Sequence, residues 1–223
     1  MCANYTPSSR LQLIDLGLQM PTFDYGEAFP GSRAPIVRRA ASYGAAAPRA
    51  IECLPASFGL LPPWAKPELF RSTYNARSET VATKPSFRGA WKARQFCWIP
   101  AECIYEPNYE SGKAVRWRIA NADGSPLLIA GLWESRMVED HPQWSFTMLT
   151  VNADEHPLMR RFHAPDKEKR SVVMLDAAGC DAWLHADSID DRLALLQVAP
   201  AEQLTAQPAP KAKPGADKNP LLF

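Results

Sequence analysis

Gln95-Phe-Cys-Trp-Ile-Pro-Ala-Glu-Cys-Ile-Tyr-Glu106 is the stretch on which the fold turns. Aromatic and β-branched residues crowd it, and such residues favour the pleated, half-buried surface of a strand. Downstream, Val115-Arg-Trp-Arg-Ile119 alternates apolar and polar residues, Asn121-Ala-Asp-Gly-Ser125 reads as a turn, and Leu127–Trp133 and Trp144–Val151 read as two apolar strands. Val172–Leu175 adds a short one. Upstream, Ala34–Arg38 and Arg49–Leu54 read as strands, with loops over Pro21–Pro35 and Pro62–Tyr74. Helical signals are fewer: a turn over Ser9–Leu18 capped by Ser8 or Ser9, then Ser78–Ala82, Ser86–Ala93, Asp176–Leu184 and Ile189–Leu196. Twenty-one prolines punctuate the chain into short elements. Together these predict one α+β domain on a partly closed β-sheet over residues 1–205. Residues 206–223, rich in alanine, proline and lysine, read as a flexible tail.

The 223 residues are 46% apolar, enough for a substantial core. Twenty-five basic residues against 24 acidic ones leave a net charge of +1, so any nucleic-acid site must be a local patch. The five cysteines form no CxxC pair and are odd in number, which argues against a disulfide framework and against a metal centre. His156 and His163 lack a helical metal-binding spacing. No eighteen-residue apolar run and no signal-peptide core is present, so the expectation is a cytoplasmic chain, nucleoid-associated when on DNA, with no membrane contact.

Four segments carry chemistry-bearing residues. Cys2 follows the initiator methionine, and removal of Met1 would leave a free α-amine and a thiol on adjacent carbons. Such an aminothiol condenses with an aldehyde to an imine and then closes to a thiazolidine. An α-amine titrates near ~7.7–8.0, so much of it is neutral and nucleophilic at pH 7. In Tyr74-Asn-Ala-Arg-Ser-Glu-Thr80, Asn75 either caps a helix or orients a reactive group by its amide, and Arg77 offers a planar fork for phosphate. In Ile99–Pro107, Glu102 and Glu106 end an apolar stretch where partial desolvation suits a carboxylate for proton transfer. In Pro157-Leu-Met-Arg-Arg-Phe-His163, the histidine suits proton transfer near neutrality, and Arg160 and Arg161 are either phosphate contacts or a solvated face. Arg71, Arg77, Lys84, Arg88, Lys92 and Arg94 interleave with Tyr74, Phe87 and Trp91; this is either a single-strand stacking groove or a helix face with solvated cations.

The set in order resembles the SOS-response-associated peptidase (SRAP) family, whose members shield abasic sites. Five elements carry the likeness: Met1-Cys2, Trp64-Ala65-Lys66, Asn75-Ala-Arg-Ser-Glu-Thr80, Ile99–Glu106 and Pro157–His163. The resemblance implies a single domain around a β-barrel-like, mostly antiparallel sheet with a few helices and a groove for single-stranded DNA. It implies Cys2 as nucleophile, Asn75 as its orienter, Glu106 as the acid–base carboxylate and His163 as a second catalytic group. It further implies DNA contacts at Trp64, Arg77, Thr150 and Arg161, no cofactor, a monomer, self-processing at Met1, a thiazolidine crosslink and some lyase activity. A peptidase acting on other proteins and a non-enzymatic single-strand binder are the alternatives. Ala3-Asn4, where the family reads Gly-Arg, and Pro107 after the glutamate depart from its pattern.

Overall fold

The computed structural model of the protein describes residues 2–19, 26–40 and 49–211. Eleven strands appear in chain order: β1 (Tyr5–Pro7), β2 (Arg33–Arg39), β3 (Ile51–Phe58), β4 (Asn75–Arg77), β5 (Phe96–Asn108), β6 (Val115–Asn121), β7 (Leu127–Val138), β8 (His141–Asn152), β9 (Arg170–Val172), β10 (Met174–Leu175) and β11 (Leu204–Pro208). Five short helices accompany them: α1 (Arg10–Asp15), α2 (Phe70–Thr73), α3 (Arg88–Lys92), α4 (Ala177–His185) and α5 (Ile189–Ala194).

The decisive stretch becomes β5, a strand of 13 residues with four strand partners. It pairs with both β2 and β7, and the path β5–β7–β8–β3–β2 returns to β5. The sheet thus closes into a five-stranded barrel. The closing pair, β3 with β8, is parallel, as is β4 with β8; every other described strand pairing is antiparallel.

Alternation along β5 divides two cores, because successive side chains of a strand point to opposite faces. Cys97, Ile99 and Ala101 enter the barrel with Ile36, Phe58, Phe146 and Met148, and an irregularity in register between Ala101 and Cys103 shifts the phase so that Ile104 enters too. Phe96 and Trp98 face outward and pack with Trp91 of α3 and Trp183 of α4. The Trp183 indole N–H donates to the Cys97 carbonyl at 2.8 Å, so α4 is seated directly on the barrel wall. Gly131 of β7 keeps that wall thin: a Cβ there would stand 2.5 Å from the Thr147 carbonyl oxygen.

The two mouths of the barrel are filled differently. At one, where β2 meets the start of β5, Arg38 is buried. Its guanidinium lies 4.1 Å from the Trp133 ring centroid and 5.8 Å from that of Trp144, with Glu52 at 2.9 Å. At the other, β1 joins β5 opposite Ala101–Ile104 and brings the first residues of the chain inside.

Several expectations need correction. Residues 78–82 form successive turns rather than a helix, and Pro85 just beyond cannot continue one. The stretch 172–175 is two strands, since β9 pairs with β8 and β10 with β7. Phe87 and Trp91, left open between a stacking groove and a helix face, are buried core residues, which decides for the helix face. The expected domain boundary at 205/206 falls inside β11, where Ala206, Gln207 and Pro208 pair with Ile119, Arg118 and Trp117. β6 would otherwise be an open edge, and proline is tolerated on the edge strand that covers it. The last twelve residues, 212–223, lie outside the described residues.

Candidate functional site

Each member of the site is set by a different element. Cys2 precedes β1 and is 1% exposed. Its neighbour Asn4 anchors the entry, with the Tyr105 N–H donating to the Asn4 carbonyl at 3.0 Å. Asn75 opens β4, whose parallel register on β8 places it beside Met148. From there its Nδ2 donates to the Cys2 carbonyl at 2.6 Å. Its Oδ1 is buried and without a hydrogen-bond partner among the described residues.

Glu106 lies two residues beyond Ile104 on β5, hence on the inward face, and is 3% exposed. Glu102 is its contrast: it turns outward and pairs with Arg118 at 3.0 Å. His163 approaches Glu106 from the segment after β8, with Nε2 at 3.1 Å from Oε2. It holds a left-handed backbone, φ +67, which is uncommon outside glycine although histidine is enriched there. Two neighbours fix that conformation. The His163 N–H donates to the Pro107 carbonyl at 2.8 Å, and Phe162 is fully buried against Trp117.

The structure therefore brings Cys2, Asn75, Glu106 and His163 into one enclosed mouth, from positions 2, 75, 106 and 163. Burial pushes the Cys2 thiol well above its ordinary value, and the Glu106 carboxylate adds to the rise. Tyr74, half-buried, feels the same surroundings: burial first, then Glu106 and Cys2, push its phenol up.

The other expected residues have surroundings of their own. The Arg77 guanidinium lies 2.6 Å from Glu168. Thr150 is buried, and its hydroxyl accepts from Arg170 Nε at 3.2 Å. Arg161 makes a two-pronged pair with Glu110 at 2.8 and 2.9 Å. Hydrogen bonds from Arg161 hold the Glu110 carboxyl down to about 2. Trp64 is 65% exposed, on a loop tied to the barrel by Leu61 N–H to Ser145 and by Arg136 to the Ala65 carbonyl.

Sequence reasoning missed the residue that organises this rim. Arg170 is almost fully buried and reaches Glu79, Glu168 and Thr150 together. Burial works against the Glu79 carboxylate, yet the Arg170 hydrogen bonds hold it below its ordinary value. In the sequence, Lys167-Glu-Lys-Arg170 looks like a solvated charge run.

An open cavity of about 650 Å³ lies against His163, lined also by Tyr109, Arg160, Arg161 and Lys169. A larger one, about 830 Å³, lies between the β6–β7 turn and the helical segment, and none of the four mouth residues lines it. Among the described residues no cluster of three His, Cys, Asp or Glu could hold a metal ion. No described helix is long and apolar enough to cross a membrane.

Comparison with known proteins gives a consistent picture. The family described as SOS response associated peptidase (SRAP) matches residues 4–212. The abasic site processing protein YoqW of Bacillus subtilis (strain 168) is 33% identical over 154 residues, 67% of this chain and 65% of that protein. The chain thus spans about 65% of the length of that curated relative. The abasic site processing protein YoaM of the same organism is 33% identical over 120 residues, 50% of this chain and 52% of that one. A solved structure from Bordetella bronchiseptica superposes with a TM-score of 0.81 at 36% identity, covering 93% of this chain and 99% of the other. One from Bacteroides thetaiotaomicron, at 20% identity, shares the fold with a TM-score of 0.75 over 92% of this chain and 90% of that one.

Proposed function

The chain belongs to the SOS response associated peptidase family, and from that premise we propose that it processes abasic sites in single-stranded DNA by linking itself to them through Cys2. One observation carries the reading. A buried cysteine at position 2 has its carbonyl held at 2.6 Å by Asn75, in the mouth that holds the Glu106–His163 pair at 3.1 Å.

The chemistry begins with hydrolysis of the Met1–Cys2 peptide bond, which consumes one water and frees the α-amine. The ring-opened abasic sugar presents an aldehyde at C1′. The amine adds to that carbon, the carbinolamine loses water with Glu106 as proton carrier, and an imine forms. The Cys2 S–H then adds across the C=N bond: sulfur bonds to C1′, the proton goes to nitrogen, and the thiazolidine closes. The order, amine first and sulfur second, follows from the chemistry, because the sulfur adds to the C=N bond that the amine has made. At the imine stage β-elimination at the sugar provides the lyase branch. His163, paired to Glu106, serves proton movement at the sugar–phosphate side, next to the cavity lined by Arg160 and Lys169.

The test is a denaturing gel of the purified protein with a single-stranded oligonucleotide bearing one abasic site. A covalent band is expected for wild type and none for Cys2→Ala. Absence of the band in protein whose intact mass shows Met1 removed overturns the reading.

A further inference from the structure

Arg116 lies 112 residues from Asn4 in sequence and grips it. Its Nε and one terminal nitrogen donate to Asn4 Oδ1 at 3.2 and 2.8 Å. The same nitrogen reaches Glu27 at 2.6 Å, and the other donates to the Ala209 carbonyl at 3.2 Å. Its guanidinium lies 3.3 Å from the Tyr105 ring centroid. The Asn4 amide completes the knot by donating to Glu27 at 3.3 Å and to the Ala28 carbonyl at 3.2 Å. Residues 2–4 belong to no strand, so this knot, the Tyr105 N–H bond to the Asn4 carbonyl and the Asn75 bond to the Cys2 carbonyl fix where the chain's first residues lie.

We propose that Arg116 is a positioning residue for Cys2: its clamp on Asn4 sets the depth and direction of the first three residues, and so where the Cys2 amine and thiol point. The proposal rests on the reading of Cys2 as the reacting residue. A guanidinium suits the task, since its planar set of donors converges on the one Asn4 oxygen while Glu27, Ala209 and the Tyr105 ring hold the guanidinium itself in place. Placement of this kind matters steeply, because small errors in approach slow a reaction between bound groups.

Two measurements separate the clamp from the DNA reading. The first uses no DNA: mature protein, with Met1 removed, is labelled by 2-cyanobenzothiazole, which condenses only with an N-terminal cysteine. The clamp keeps Cys2 buried, so Arg116→Ala and Asn4→Ala are each expected to label about tenfold faster than wild type. The double variant is expected to gain less than the product of the two, since both break the Arg116–Asn4 contact. Unchanged labelling in both single variants overturns the proposal, as does a double variant whose gain is the product of the two. The second measurement follows crosslinking at saturating abasic single strand. The single variants are expected to lose about tenfold in rate with the dissociation constant for undamaged single strand unchanged, and Arg116→Lys to recover only part. A rate loss accompanied by an equal loss of affinity overturns the positioning role, because a merely structural defect lowers both. Should wild type form no crosslink while labelling follows the expected pattern, the DNA reading fails and the clamp stands. Asn4→Ala removes only a side-chain amide, so it answers the question if Arg116→Ala does not fold.

Discussion

The two mouths of the barrel bury polar groups in similar confinement and differ in one respect, whether those groups can exchange a proton. Arg38 closes one mouth with a charge it cannot lose, covered by Trp133 and Trp144 and matched by Glu52. Cys2, Glu106 and His163 fill the other with a thiol, a carboxyl and an imidazole, each of which has two protonation states. A permanent cation under two indoles acts as a plug. Titratable groups in the same confinement are the ones suited to the chemistry proposed above, because desolvation strengthens every electrostatic interaction among them.

The comparison can be broken most severely at the chemical mouth. Cys2→Ala is expected to abolish crosslinking on a denaturing gel, while the thermal midpoint stays within a few degrees, since the change removes a single sulfur atom. Glu106→Gln comes next. It keeps the shape and removes the proton carrier, so the crosslinking rate is expected to fall about 10²–10⁴-fold with single-strand affinity retained. If the Glu106→Gln variant works as fast as wild type in a single-turnover assay, the mouth is not an acid–base site.

Breaking the plug is expected to give the opposite signature. Arg38→Ala leaves two indoles facing a gap and Glu52 without its partner. The Glu52 side chain is 37% exposed, so the expected loss is about 2 kcal/mol, below the ~3–5 kcal/mol for a pair hidden on both sides. Urea unfolding measures this, and the crosslinking rate at 25 °C should not change. A rate loss without a stability loss would merge the two mouths into one functional unit.

The smallest effect is expected at the rim. Glu110 sits at about 2 when folded against an ordinary 4.5, so its pairing with Arg161 favours the folded state above the ordinary value. That contribution fades as pH falls from about 4.5 to about 2 and is gone below it. Glu110→Gln should flatten this part of an acid-unfolding curve only slightly, because exposed pairs contribute little. A large change there would mean that the rim supports the mouth.

How much of this could be read from the chain depends on range. The strand character of 95–106 was legible, because its pattern is local, and so was the helix turn at Ser9, whose side chain accepts from the Gln12 N–H at 3.3 Å. The choice of Glu106 over Glu102 rested on family likeness, and the pleat supplies its physical reason: Glu106 shares the inward face with Ile104. The rest was hidden by distance. Barrel closure joins Phe58 to Phe146, and Arg116 holds Asn4 from 112 residues away. No periodicity encodes either. Phe87 and Trp91 are left open by the sequence: aromatic rings among cations suit a stacking groove equally well, and only the packing of α3 on Phe96 and Trp183 decides between groove and core. The left-handed backbone of His163 leaves no trace in a residue type that tolerates many conformations.

The handover on β8 has a consequence for how such a protein can change over time. β3 pairs with β8 through Phe58–Phe146, then departs, and β4 returns to take the next places, Asn75 beside Met148. Because β8 itself measures out the position of Asn75, the residues between the two visits are free of that duty. Insertions and deletions around Trp64 can therefore reshape what the surface meets while the reactive centre keeps its alignment.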